Sequence, residues 1–120
     1  MGRTYFIEHK GTKILLVDFS GTKPGEEFYD SIEEAKKIIH SQPEKSVISL
    51  FDATDGHFDQ EVINALKEFA KSNTPYIKTS ALVGVTGLLN IALMTISRFA
   101  GRDFKTFKTR EKALDWLITQ

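Results

Sequence analysis

Four residues with side chains able to ligate a metal or move a proton fall within eight positions. They are Asp52, Asp55, His57 and Asp59 in DATDGHFD, and a further carboxylate, Asp18, stands alone in VDFSG. Carboxylates beside a histidine suit a hard cation or an acid–base pair. The spacing matches no metal motif, however. Asp59 reads as the N-cap of a following helix, and Asp55-Gly56 reads as a turn. Other chemistries have less support. The chain has no cysteine, which excludes disulfides, thiolate catalysis and cysteine-ligated zinc. No G-x-S-x-G elbow is present. Gly84-x-x-Gly87 precedes a helix and could offer N–H groups to an anion, but G-x-G-x-x-G and a P-loop lysine are both missing. A phosphate-receiver domain has this length and an aspartate after its third strand. It also needs an acidic pair after the first strand and a late lysine, and neither is found. We therefore expect no catalytic residue, no metal and no cofactor. An enzyme acting through Asp52, Asp55 and His57 ranks last.

These residues need a scaffold, and 120 residues suffice for one domain with its own core. Lys plus Arg and Asp plus Glu number 16 each. That balance argues against nucleic acid, which calls for a basic excess. MGRTYFIEHKG carries charge where a secretory signal needs an apolar run. Gly2 meets one requirement of a myristoylation site, but Phe6 stands where that motif needs Ser or Thr. The expected location is cytoplasmic.

Tyr5–Ile7 and Lys13–Phe19 read as strands of a hairpin turned at KGT. A helix follows over Glu26–His40, with Phe28, Ile32, Ala35, Ile38 and Ile39 as its apolar stripe and Glu33, Glu34, Lys36 and Lys37 facing water. Ser46–Phe51 is a buried strand. Asp59 caps a helix running to Ser72, which Asn73-Thr74-Pro75 stops. Ile77–Val83 is the next strand. Thr86-Gly87 opens a helix that Gly101 closes, Phe104–Phe107 is a last short strand, and Thr109 caps a final helix. The order ββ(αβ)3α predicts a single α/β domain, 1–120, with a mostly parallel sheet of four or five strands and right-handed crossovers.

One segment strains this scheme. Residues 79–97, TSALVGVTGLLNIALMTIS, carry no charge over nineteen positions, close to the ~20 that span a bilayer. Gly84, Thr86 and Gly87 near its middle favour a strand, a turn and a helix instead. Even so, the helix over 86–99 is too apolar for one sheet-facing stripe. Leu88, Leu89, Ile91, Ala92, Leu93, Ile96 and Phe99 fill an arc of roughly 200°, with Met94 beyond it. The sheet on one side and the C-terminal helix with Trp116 on the other would cover this excess. Alternatively, part of the arc meets a ligand, a second subunit or a membrane surface. Arg98 and Arg102, with Lys105, Lys108 and Arg110 beyond, would form a basic rim for anionic headgroups.

The hairpin start, the three βα units, the apolar late helix and above all the ending FKTFKTREKALDWL resemble the SpoIIAA-like proteins. These are relatives of the STAS domain of bacterial anti-sigma-factor antagonists and sulfate transporters. The resemblance covers nearly the whole chain. It implies a small sheet wound with its helices as a right-handed βα superhelix. It further implies kinship with the lipid-binding CRAL-TRIO fold and members that bind apolar ligands or membrane surfaces. The antagonists are switched on a serine of D-S-S-G. Here the matching stretch is Ala53-Thr54-Asp55-Gly56, with Asp55 in the place of that serine. A carboxylate imitates the added charge but cannot be switched, which leaves Thr54 as the phosphate acceptor.

The leading expectation is a non-enzymatic binding module. Leu88, Leu89, Ile91, Ala92, Leu93, Met94 and Ile96 would contact an apolar small molecule, a membrane surface at the inner face, or a second copy. The rival is a protein–protein regulatory module read through residues 52–57.

Overall fold

The computed structural model describes residues 2–120. Alternating burial along the sequence folds into ten elements. β1 (Thr4–His9) and β2 (Thr12–Asp18) form an antiparallel hairpin. Its two turn residues, Lys10 and Gly11, both have positive φ, at 50° and 85°. That is the left-handed geometry whose twist matches the strands of a tight hairpin.

α1 (Glu26–His40), β3 (Val47–Asp52) and α2 (Gln60–Asn73) follow. A 3₁₀ turn, Thr74–Tyr76, leads into β4 (Ile77–Val83). α3 (Gly87–Ala100), β5 (Lys105–Phe107) and α4 (Arg110–Leu117) complete the chain. The caps are the expected ones. Asp59 Oδ1 accepts from the Val62 N–H at 2.9 Å, and Thr109 Oγ1 accepts from Lys112 N–H at 3.2 Å. Gly101 closes α3 at φ 71°, a conformation that glycine adopts without strain.

The sheet runs β1-β2-β3-β4-β5. Every pair after the hairpin is parallel. The chain thus steps one strand at a time in one direction. α1, α2 and α3 all pack on the same face, with Leu15 and Val17 beneath them. Crossovers of a single hand produce that arrangement. Alternate residues point the other way. Ile14, Leu16, Leu50, Ala81 and Val83 form a second core, closed by Ala113 and Leu117 of α4.

Two expectations change here. α4 lies across the sheet from α3, so Trp116 does not cover the apolar helix. It packs on Phe107, with ring centroids 5.5 Å apart. The odd and even residues of each strand face opposite ways, and α4, which follows the last strand and is bound to no crossover, covers the apolar residues of the face that α1, α2 and α3 leave open. In addition, Glu34 does not simply face water. Its Oε1 accepts the Arg3 N–H at 3.0 Å and the Thr4 N–H at 3.4 Å, clasping the start of β1 to α1. Among the described residues, no helix is long and apolar enough to cross a membrane.

Candidate functional site

The carboxyl ends of the parallel strands, where open α/β sheets commonly bind ligands, are occupied by an internal ion network. Strand register places Asp18 beside Asp52. Arg110, the first residue of α4, reaches both. Its Nε donates to Asp52 Oδ2 at 2.5 Å, and Nη2 lies 3.3 Å from Asp18 Oδ2. The other oxygens are used locally. Asp52 Oδ1 accepts the Thr54 N–H at 2.9 Å, and Asp18 Oδ1 accepts the Ser20 N–H at 3.0 Å and its hydroxyl at 2.6 Å. Burial pushes the Asp18 carboxyl up, but the two Ser20 bonds and Arg110 outweigh it, leaving Asp18 below its ordinary value. Burial likewise pulls Arg110 down, and Asp52 and Asp18 more than restore it. One arginine thus bridges both aspartates, and each carboxylate oxygen has a partner. Among the described residues, no three His, Cys, Asp or Glu side chains gather as a metal site.

The 52–57 loop sits beside this network. Thr54, Asp55 and Gly56 lie in a turn closed by the Gly56 N–H donating to Ala53 O at 3.0 Å. Asp55 is exposed, with φ 56°, and stands four residues ahead of the α2 cap rather than at the helix start. The loop leans on the turn after β4. A Cβ on Gly84, whose φ is +73°, would meet the Cα of Thr54 at 2.6 Å, so Gly84 permits the close approach. The Thr54 side chain faces this contact, since its Oγ1 lies 2.4 Å from the same Cβ position.

The apolar helix is divided between two roles. Leu89 and Ile96 are buried under it, while Ile91 is 77% exposed, Met94 65% and Leu88 39%. Ala92 and Leu93 are half-buried. Beneath the inner side of α3 lies a cavity of about 70 Å³, bounded by the sheet and by α2. A water needs only about 10–15 Å³. Leu66, Phe69, Leu82, Leu89, Leu93 and Ile96 make its apolar wall.

Four polar side chains interrupt that wall: Ser49, Asn73, Ser80 and Arg102. Ser49 and Ser80 occupy facing positions of β3 and β4, with their hydroxyls 2.8 Å apart. Asn73 ends α2 and is 2% exposed. Its Oδ1 is 3.1 Å from His40 Nε2, and the His40 ring stacks on Tyr76. Arg102 leaves Gly101 and turns inward. Nη1 donates to Ser80 Oγ at 2.9 Å, Nε to Thr74 Oγ1 at 3.1 Å and Nη2 to Ala70 O at 3.0 Å. The Phe104 ring lies 4.8 Å from its guanidinium carbon. Burial lowers the Arg102 pKa to about 10.

The expected basic rim does not form one surface. Arg98 is exposed, Arg102 is in the cavity wall, Arg110 is bound to two aspartates, and Lys105 lies over Trp116 on the α4 side. The inward turn of Arg102, and the roles of Ser49, Asn73 and Ser80, were not anticipated. A signal existed. SVISLF and IKTSALV each carry a serine inside a buried β-run, and a buried hydroxyl needs a partner.

No protein-family model and no curated protein matches the chain. A solved structure does: an uncharacterized protein from the DUF3478 family with a SpoIIAA-like fold, from Shewanella loihica PV-4. It superposes with a TM-score of 0.71 at 19% identity, over 95% of this chain and 91% of that one. The fold is SpoIIAA-like. At that identity the likeness establishes architecture alone. The SpoIIAA-like scaffold here carries two strand-end aspartates bridged by Arg110 and, separately, an apolar cavity with a polar corner.

Proposed function

We propose that this protein is a non-enzymatic binding module whose ligand is a small apolar molecule held in the cavity between α2, α3 and the sheet. One observation carries this reading. Well-packed interiors keep few voids larger than a water, yet about 70 Å³ lies against Leu66, Phe69, Leu89, Leu93 and Ile96. An apolar void of that kind favours an apolar guest over water. Asp18 and Asp52 lend no support to catalysis, because both are committed to Arg110 and to a backbone N–H.

Xenon, an apolar guest that dry cavities lined by Leu and Phe take up, tests the cavity. Saturable binding at one site per chain is expected, weakened at least about tenfold by Leu93→Trp, which fills the space from the half-buried edge. A melting temperature within a few degrees of wild type would show that the variant still folds. Unsaturable binding, or binding indifferent to Leu93→Trp, would refute the reading.

The outer face of α3 supports a second contact. Leu88, Ile91 and Met94 form an exposed apolar strip without a single acidic residue on the helix. A membrane surface suits such a strip. Flotation with anionic vesicles is expected to carry the wild type upward and to leave an Ile91→Asp/Met94→Asp variant at the bottom. Leu93→Asp would be a poor probe, because Leu93 lines the cavity. Failure of the wild type to float would discard the membrane contact.

A further inference from the structure

The cations beside the exposed strip of α3 have no anionic partner. Lys67 and Lys71 stand one turn apart on α2, and both lie over the Phe99 ring of α3, 4.7 and 4.5 Å from its centroid. Arg98, on α3 itself, is exposed. It follows Met94 by four residues and Ile91 by seven, so helical spacing puts it on their face. None of the three makes an ion pair among the described residues. Glu68 adjoins Lys67 and stands three residues before Lys71, the spacing of a helical ion pair. Both ammonium groups turn to the aromatic ring instead.

That ring belongs to the same strip. Phe99 comes eleven residues after Leu88, close to three full turns, so the two share a row of the helix. Leu88, Ile91 and Met94 therefore have two ammonium groups along their α2 flank and a guanidinium toward the end of the helix, and α3 contributes no acid. A second copy of the chain fits this pattern poorly. A two-fold contact matches a patch with itself. Here it would bring two sets of cations around one apolar centre with no carboxylate between them. A bilayer with negative headgroups offers both complements at once, acyl carbon for the strip and negative charge for its rim.

We infer that α3 docks on bilayers rich in anionic lipid, with Leu88, Ile91 and Met94 in the acyl boundary and Lys67, Lys71 and Arg98 against the negative headgroups. A lysine lays its stem on apolar surface and keeps its ammonium in water. Here the stems lean on Phe99, which holds two charges at the edge of the strip rather than within it. Each cation placed near an anionic surface strengthens binding about fivefold. This inference rests on the membrane reading of α3 and adds the charge of the lipid; the cavity has no part in it.

Co-sedimentation of the intact protein with two kinds of vesicle tests it: phosphatidylcholine alone, and phosphatidylcholine mixed in equal parts with phosphatidylglycerol. The wild type is expected to bind the mixed vesicles about 100-fold more tightly than the neutral ones, the product of three such cations. Lys67→Gln/Lys71→Gln is expected to lose about 25-fold on the mixed vesicles. Equal binding of the wild type to both compositions overturns the inference and leaves the membrane contact standing. So does an anionic preference undiminished in the double variant. If the wild type binds neither composition, the membrane contact falls, and this inference with it. A dimer in sedimentation velocity that Ile91→Asp dissolves would show a second copy on the strip, and would overturn it too. Lys71 is exposed, so Lys71→Gln alone, expected to lose about fivefold, decides the matter should the double variant fail to fold.

Discussion

Arg110 holds two aspartates that strand register forces side by side. Asp52 is nearly inaccessible, with 5% of its side chain exposed, while Arg110 itself is 41% exposed. Removing the cation would leave two carboxylates facing each other with no counter-charge. Arg110→Met is expected to destabilise the fold by about 2 kcal/mol at pH 7, below the usual figure for a fully buried pair because water still reaches the arginine. The pH dependence distinguishes this from lost packing. The folded pKa of Asp18 is depressed, so its stabilising contribution is fully present above the unfolded value of about 4 and disappears as pH falls through the folded value. The gap between wild type and Arg110→Met, measured by denaturant titration, should therefore narrow below about pH 4. A gap constant from pH 7 to pH 3 would show that Arg110 acts through its methylenes alone. Asp18 and Asp52 were identifiable from sequence as chemistry-bearing residues. Their partner was not, because it lies 58 positions beyond Asp52 and only the sheet brings it near.

At the scale of elements, the sequence was legible wherever one local rule acted without competition. α1 begins and ends as its stripe predicts, at Glu26 and His40, and β4 at Ile77 and Val83. The two glycines at 84 and 87 separated a strand from a helix inside a run that hydropathy alone would merge. What periodicity could not supply is the partner of each face. The arc of α3 was visibly too wide, yet an amphipathic pattern records only how much surface is apolar. Whether Trp116 or open solvent lies opposite depends on which side of the sheet α4 takes. That choice is written in the alternation of Ile14, Leu16, Leu50, Ala81 and Val83. The inward turn of Arg102 was hidden for a related reason. Gly101 reverses the chain in a left-handed cap, so a residue two positions past the helix need not continue its outer face.

On the scale of the whole molecule, two cores share one sheet. The larger lies under three crossover helices, and the smaller lies under α4 alone. β2, β3 and β4 each contribute to both, so neither core forms a separate unit. A chain ending at Lys108 keeps every strand and the complete helical face but bares five apolar residues on the reverse of the sheet. Those five are each less than 4% exposed in the full structure. We expect this truncation to be insoluble, or to bind hydrophobic dyes strongly and melt without a cooperative transition, by light scattering and calorimetry. A soluble, cooperatively melting fragment would show that α4 is dispensable.

The same geometry sets a timetable for biosynthesis. A ribosome delivers the hairpin and the βα units first, and each crossover helix can settle as soon as its strand emerges. The reverse of the sheet has no cover until residues 110–117 have left the exit tunnel. Until then the nascent sheet is clothed on one face only. Release of its closing helix, rather than nucleation of its first hairpin, ends its exposure to aggregation and to chaperones.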